Sequence, residues 1–252
     1  VGDGAGSGRS TEGVITPNGR YVAFSGDAGD LVPNDANAVG DVFVRDLKTG
    51  TTTLGLVCKD GVILAADRRA TAGFLIAHKK TKKVYRLDDN LGLTTAGLVG
   101  DLQTLSRYIT AEVELYKMRR NSQMSVEACA TLTANILSGS RYFPYWVQLL
   151  IGGVDRNGGH VYSIDAAGGS LPDKFVSTGS GSPFVYGVLE DHYKEDIMVD
   201  QGADLAVRAI TASMKRDAAS GEGIDVAIIT KDGFKLLDDK EVEKRKVAMK
   251  LT

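Results

Sequence analysis

The chain has 252 residues, 43% of them hydrophobic and 25% charged, enough for one sizeable domain or a domain with an appendage, with a core and a polar surface. Its 30 basic and 32 acidic side chains leave a net charge of -2, which offers no basis for a nucleic acid or an anionic membrane as partner. No apolar run is long enough to span a bilayer, the longest being short strand candidates such as Val62-Ile63-Leu64-Ala65-Ala66, and no secretory leader is legible.

Residues 1–10 (VGDGAGSGRS) read as a flexible Gly/Ser lead-in. Their near-match to a nucleotide-binding glycine motif has no strand before it and no helix after it, so no cofactor is expected there. Next come Val14-Ile15, a Pro17-Asn18-Gly19 hairpin turn, Tyr21-Val22-Ala23-Phe24, an Asp/Asn/Gly loop and Asp41–Leu47, giving two or three short antiparallel strands. Asp35, Asn37 and Asp41 read as turn formers rather than calcium ligands. The run PNGRYVAFSGDAGDLVPNDANAVGDVFVRDLKTG resembles one blade of a β-propeller of the periplasmic TolB-like type, without a second copy. A lone blade does not bury both faces.

From Thr51 the pattern tightens. Thr51–Cys58 and Gly61–Arg68 predict two strands joined at Lys59-Asp60-Gly61, and Leu91–Gly97 a third. Leu102, Leu105, Ile109 and Val113 fall at helical spacing within 99–120. Ser125 is a predicted N-cap for a second helix, with Val126, Cys129, Leu132 and Ile136 on one face and Pro144 as its stop. A hairpin over Val147–Val154 and His160–Asp165 follows, then a helix through Tyr186 and Leu189, another over about Gly202–Arg216, a hairpin over Ile224–Thr230 and Phe234–Leu237, and a charged helix over Glu241–Lys250. Strands, two helices, strands, two helices, strands predict an α+β fold with two sheets face to face and helices outside. Cys58 and Cys129 lie in apolar contexts and read as buried free thiols of a cytoplasmic protein. None of the 3 histidines has a neighbour at metal-ligand spacing, so no metal is expected.

The two compositions meet at Lys48-Thr49-Gly50-Thr51-Thr52-Thr53, which divides the chain into 1–50 and 51–252. A Thr that follows a Gly at the head of a strand can become a new N-terminus. Its hydroxyl and α-amine then supply nucleophile and base on one residue. The segments TTTLGLVCKDGVILAADRRAT, KKTKKVYRLDD, TTAGLVGD, RYFPYWVQLLIGGVD, YSIDAAGGS, STGSGSPFVYGVLE and MKRDAASGEGIDVAIITKDG resemble the β subunit of the archaeal-type 20S proteasome, without a break from Thr51 to about residue 238. The resemblance implies a four-layer αββα sandwich of the N-terminal-nucleophile hydrolase type. It also implies threonine-type endopeptidase activity.

Carried over by residue, the resemblance makes Thr51 the nucleophile, Asp67 its acidic partner and Lys83 the site lysine. It makes Ser180, Asp217 and Ser220 the supporting group, and Gly97 the oxyanion-hole amide. Asp67 stands where archaeal relatives often carry the longer Glu. Ala70, Thr81, Tyr85, Thr95 and Val99 fall on the primary specificity pocket, whose small, apolar, uncharged walls imply a preference for hydrophobic P1 residues, and Thr71 on the strand that holds substrate extended. Taken singly, a Lys is usually a solvated charge, a Thr in a strand a β-former, and Asp217 a helix terminator.

With residues 1–50 attached, the Thr51 nitrogen is an amide and cannot act as a base. The sequence therefore describes a precursor, and the resemblance implies its activation by autocleavage at Gly50–Thr51. The resemblance also implies as partners other β subunits in a homo-heptameric ring, α-subunit rings, a regulatory ATPase acting through the α ring, and unfolded polypeptide substrates. Archaeal propeptides of this family are usually short, so residues 1–50 stand as a natural fusion, a chimera or an unusual propeptide. The alternative reading is an uncleaved, non-catalytic ring subunit.

Overall fold

Hydrophobic alternation on either side of the junction produces separate sheets. The computed structural model describes residues 10–15, 21–26, 41–46, 50–72, 75–140 and 142–251. The chain divides into two compact units, Val1–Lys48 and Thr49–Thr252.

In the first unit, β1 (Ser10–Ile15), β2 (Tyr21–Gly26) and β3 (Asp41–Asp46) form an antiparallel sheet in the order β1-β2-β3. The register runs Ile15↔Val22 and Tyr21↔Asp46, with an irregularity between Thr11 and Val14. The expected lead-in over residues 1–9, the Pro17-Asn18-Gly19 turn and the Asp/Asn loop lie outside the described residues.

In the second unit, β4 (Thr53–Cys58), β5 (Gly61–Asp67), β13 (Phe175–Thr178), β14 (Ile224–Thr230) and β15 (Gly233–Leu236) form one antiparallel sheet, ordered β13-β4-β5-β14-β15. A second sheet is ordered β12-β11-β10-β9-β8, from β8 (Val84–Asp88), β9 (Leu91–Gly97), β10 (Val147–Asp155), β11 (Gly158–Ile164) and β12 (Ser170–Asp173). A small hairpin pairs β6 (Ala70–Ala72) with β7 (Leu75–His78). The helices are α1 (Val99–Arg120), α2 (Val126–Gly139), α3 (Ser182–His192), α4 (Val199–Met214) and α5 (Asp239–Ala248).

The period-2 alternation of β5 sorts its side chains into two cores. Ile63 and Ala65 pack with Val185 and Leu189 of α3 and Ala206, Val207 and Ile210 of α4. Val62, Leu64 and Ala66 pack with Leu150 and Val161 of the second sheet. A third cluster joins Leu93, Leu149 and Ile151 to Leu105 and Ile109 of α1 and Cys129 and Leu137 of α2. Covered on both faces, β5 is buried throughout, which explains its unbroken apolar run. The sheets meet closely around Leu64, where a Cβ on Gly92 or Gly152 would come within 2.8 or 2.9 Å of its methyl groups. Burying such a leucine contributes about 1.5–3 kcal/mol.

Ser125 caps α2 as expected, its hydroxyl accepting the Ala128 N–H at 3.2 Å. The helix ends at Gly139, well before Pro144. β4 begins at Thr53 rather than at the expected Thr51, because the Thr51 and Thr52 amides bond side chains instead of a neighbouring strand. Among the described residues, no helix is long and apolar enough to cross a membrane.

Candidate active site

Thr51 and Thr52 lie buried between the end of β5, the β13–α3 loop and the loop that follows α4. Two carboxylates hold them. Asp67, the last residue of β5, is fully buried. Its Oδ1 accepts the Thr52 N–H at 2.8 Å and Lys83 Nζ at 2.8 Å; its Oδ2 accepts the Arg69 and Gly221 N–H groups, both at 2.9 Å. The shorter Asp side chain therefore reaches Lys83 directly. Lys83, only 3% exposed, also donates to the Arg69 carbonyl at 2.5 Å. Burial pushes its ammonium below the ordinary lysine value, while Asp67 pulls the other way. An ammonium has three donors, so one N–H remains beyond these two bonds.

Asp217 is the second hub. Its Oδ2 accepts from the Ser180 and Ser220 hydroxyls, both at 2.6 Å, and its Oδ1 from the Ala219 N–H at 3.2 Å. Ser180 Oγ accepts the Thr51 N–H at 3.3 Å. Ser220 Oγ lies 2.6 Å from Thr52 Oγ1, which lies 2.6 Å from Ser213 Oγ. The structure thus brings Thr51, Asp67, Lys83, Ser180, Asp217 and Ser220 into one network, with Thr52 joining its halves.

The Thr51 hydroxyl donates to the Gly50 carbonyl oxygen at 2.5 Å. Gly50 is wedged in place: a Cβ there would come 1.9 Å from Ala219 Cβ and 2.7 Å from Thr71 Oγ1. Thr71 Oγ1 is buried without a hydrogen-bond partner. Gly179, at φ +90°, abuts the Thr51 carbonyl, where a Cβ would come within 2.1 Å. Gly97 ends β9 on the other sheet, paired with Val147 at φ +141°; its N–H enters none of the bonds above.

Of the expected pocket residues, Thr81, Tyr85 and Val99 line one cleft of about 520 Å³ with Leu102, Gln103 and Lys79, Lys80 and Lys82. Ala70 and Thr95 are buried in β6 and β9 and do not line it. The three lysines make this cleft less apolar than the uncharged walls expected. Their long side chains belong to the β7–β8 connection, where the ammonium groups stay in water, and Lys82 lies 5.1 Å over the Tyr85 ring. Among the described residues, no group of three His, Cys, Asp or Glu side chains could hold a metal ion.

The sequence reading missed Thr52, Ser213, Arg69, Gly179 and Gly181. The glycines stand in the quoted STGSGS run and Thr52 in the Thr triplet. Ser213 carries no sequence signal, since one Ser on a helix is unremarkable.

A family model described as "Proteasome subunit" matches residues 47–229. This chain belongs to the proteasome subunit family. Similar proteins include proteasome subunit beta of Methanosarcina mazei, 57% identical over 201 residues, covering 79% of this chain and 96% of that one. The proteasome subunit beta of Methanothermobacter thermautotrophicus is 53% identical over 197 residues, covering 78% and 94%. That of Archaeoglobus profundus is 56% identical over 196 residues, covering 77% and 91%. The chain is accordingly a β-type proteasome subunit of the threonine-peptidase class. Residues 1–46 lie outside the family match.

Proposed function

We propose that residues 1–50 are a propeptide with a blade-like sheet, and that Thr51 removes them by cutting the Gly50–Thr51 bond. The freed Thr51 then hydrolyses unfolded polypeptides in a β ring stacked against α rings and fed through a regulatory ATPase. We read the second unit as the four-layer αββα sandwich of N-terminal-nucleophile hydrolases. The observation that carries this reading is the Thr51 hydroxyl at 2.5 Å from the Gly50 carbonyl oxygen, on a backbone pinned by Asp67 and Ser180.

In the precursor, Thr51 Oγ1 turns from the Gly50 oxygen to attack its carbonyl carbon, and a water takes the hydroxyl proton. The C–N bond breaks as the Thr51 nitrogen gains a proton. Water then hydrolyses the resulting ester, releasing the Gly50 carboxylate and restoring the Thr51 hydroxyl beside the α-amine freed in the step before. Such an amine has an ordinary pKa of about 7.7–8, so it takes over as base near neutral pH. Lys83, linked to that backbone through Asp67 and Thr52, would lower the amine's proton affinity by like-charge repulsion and favour the deprotonated hydroxyl. Asp67 keeps Lys83 charged and aimed. Gly97 would supply the oxyanion N–H, an interaction typically worth about 3–4 kcal/mol.

Ala70, Thr81, Tyr85, Thr95 and Val99 are read as the specificity pocket, with hydrophobic P1 residues preferred, and Thr71 as a substrate-backbone contact. Fluorogenic peptides ending in Tyr, Arg and Glu test this: Tyr is expected to be cleaved fastest. Faster cleavage after Glu would mean that Lys79, Lys80 and Lys82 dominate the cleft, and faster cleavage after Arg would overturn the pocket assignment.

A further inference from the structure

We propose that Ser213, on the last turn of α4, is a positioning residue for the peptidase reaction, setting the direction of a hydroxyl chain that ends on Asp217. The proposal rests on the reading of Thr51 as nucleophile. Ser213 is fully buried. A helical Ser or Thr either points its hydroxyl to solvent or turns it back to the carbonyl four residues earlier. Thr211, two residues before it, does the latter, bonding the Val207 carbonyl at 2.7 Å. Ser213 instead reaches out of the helix to Thr52 Oγ1 at 2.6 Å.

Each hydroxyl has one proton, which fixes the order. Ser220 donates to the Asp217 carboxylate, so the Thr52–Ser220 contact needs Thr52 as donor. With its proton used, Thr52 Oγ1 accepts from Ser213. The chain runs Ser213 to Thr52 to Ser220 to Asp217. A second chain runs from the Thr51 N–H to Ser180 and on to the same Asp217 oxygen. Adjacent residues, the nucleophile and its successor, thus feed one carboxylate from two sides. Space for the Ser213–Thr52 pair depends on Gly181, where a Cβ would come within 2.0 Å of both hydroxyl oxygens.

Ser213 is the only member of the first chain without a donor of its own in it, so it holds the others in one sense. Without it, Thr52 Oγ1 lacks a donor, and Ser220 can reverse to supply one, withdrawing its bond from Asp217. Asp217 is then held by Ser180 alone among hydroxyls, and the Thr51 nitrogen loses its fixed position. Neither Ser213 nor Thr52 lines the Thr81–Tyr85–Val99 cleft, so the effect falls on turnover, not on substrate affinity.

The test is steady-state hydrolysis of a fluorogenic peptide by assembled particles carrying Ser213→Ala, Ser220→Ala, both, or Thr51→Ala. Ser213→Ala is expected to lower kcat about two- to tenfold, the value of one hydrogen bond, with KM unchanged. In the Ser220→Ala background it should cost nothing further, although Ser213 and Ser220 share no bond, since coupled losses through Thr52 are non-additive. Ser213→Cys, which keeps the volume with a weak donor, should lower kcat in the same direction if Ser213→Ala fails to assemble. An unchanged kcat, a change confined to KM, or losses that multiply in the double variant would overturn the proposal while Thr51→Ala stays inactive. Parental activity in Thr51→Ala would overturn the nucleophile reading and this proposal together.

Discussion

The two carboxylates that flank Thr51 and Thr52 are built differently. Asp67 is fully buried and takes three backbone N–H groups and one ammonium; its surroundings are main chain. Asp217 is half-buried and takes two serine hydroxyls and one backbone N–H; its surroundings are side chains that can rotate. Asp67 therefore fixes the fold around the site, and under the proposed cleavage Asp217 holds the groups that would change partner as the Gly50–Thr51 amide becomes an amine. A rigid anchor and an adjustable one serve the same two residues.

Substitutions at each hub separate these roles. Lys83→Met should leave a folded particle, because Asp67 keeps its three backbone donors, yet peptide hydrolysis should fall on the order of a thousandfold. Asp67→Ala should act on the fold instead: losing the acceptor of three N–H groups and the partner of a buried ammonium costs about 3–5 kcal/mol. Urea unfolding and size-exclusion chromatography would show that loss before any assay. Asp217→Asn keeps the shape and two acceptor bonds, so stability should change little while hydrolysis drops about ten- to a hundredfold. If Asp217→Asn unfolded the subunit and Asp67→Ala did not, the contrast would be reversed.

Smaller effects sharpen the same contrast. Gly181→Ala forces a methyl between Ser213 and Thr52, and should destabilise by about 1–3 kcal/mol while lowering turnover. The pH dependence of stability should carry a Lys83 component. Its pKa is pushed below 10.5, chiefly by burial, so between the folded value and 10.5 the unfolded chain binds the extra proton. Stability supplied through this group therefore rises with pH across that window. Urea midpoints measured as pH is raised should show the rise in the parent and lose it in Lys83→Met.

Much of the second unit was legible in the sequence because its patterns are local. α1 spans the expected 99–120, Ser125 caps α2, and the hairpin at Lys59-Asp60-Gly61 is where its turn residues put it. β8 went unread because Val84 and Leu87, three positions apart among Lys82, Lys83 and Arg86, pack into different cores and leave no alternation, and β12 because Pro172 sits in a four-residue strand. The acid, lysine and serine positions were reached through the family's motifs, whereas Thr52 and Ser213 act through contacts across 161 positions of chain. No local pattern encodes such a contact. The charged rim of the cleft was missed for a related reason: Thr81 was read as a pocket position, while its neighbours Lys79, Lys80 and Lys82 were quoted only as part of a motif.

The most direct test of the account is the N-terminus of the subunit in an assembled, active particle, read by mass spectrometry beside a Thr51→Ala particle. The account predicts a parent chain that begins at Thr51 and a variant that retains residues 1–50 and hydrolyses no peptide. An intact parent chain in an active particle, or a Thr51→Ala chain cut at Gly50, would contradict it.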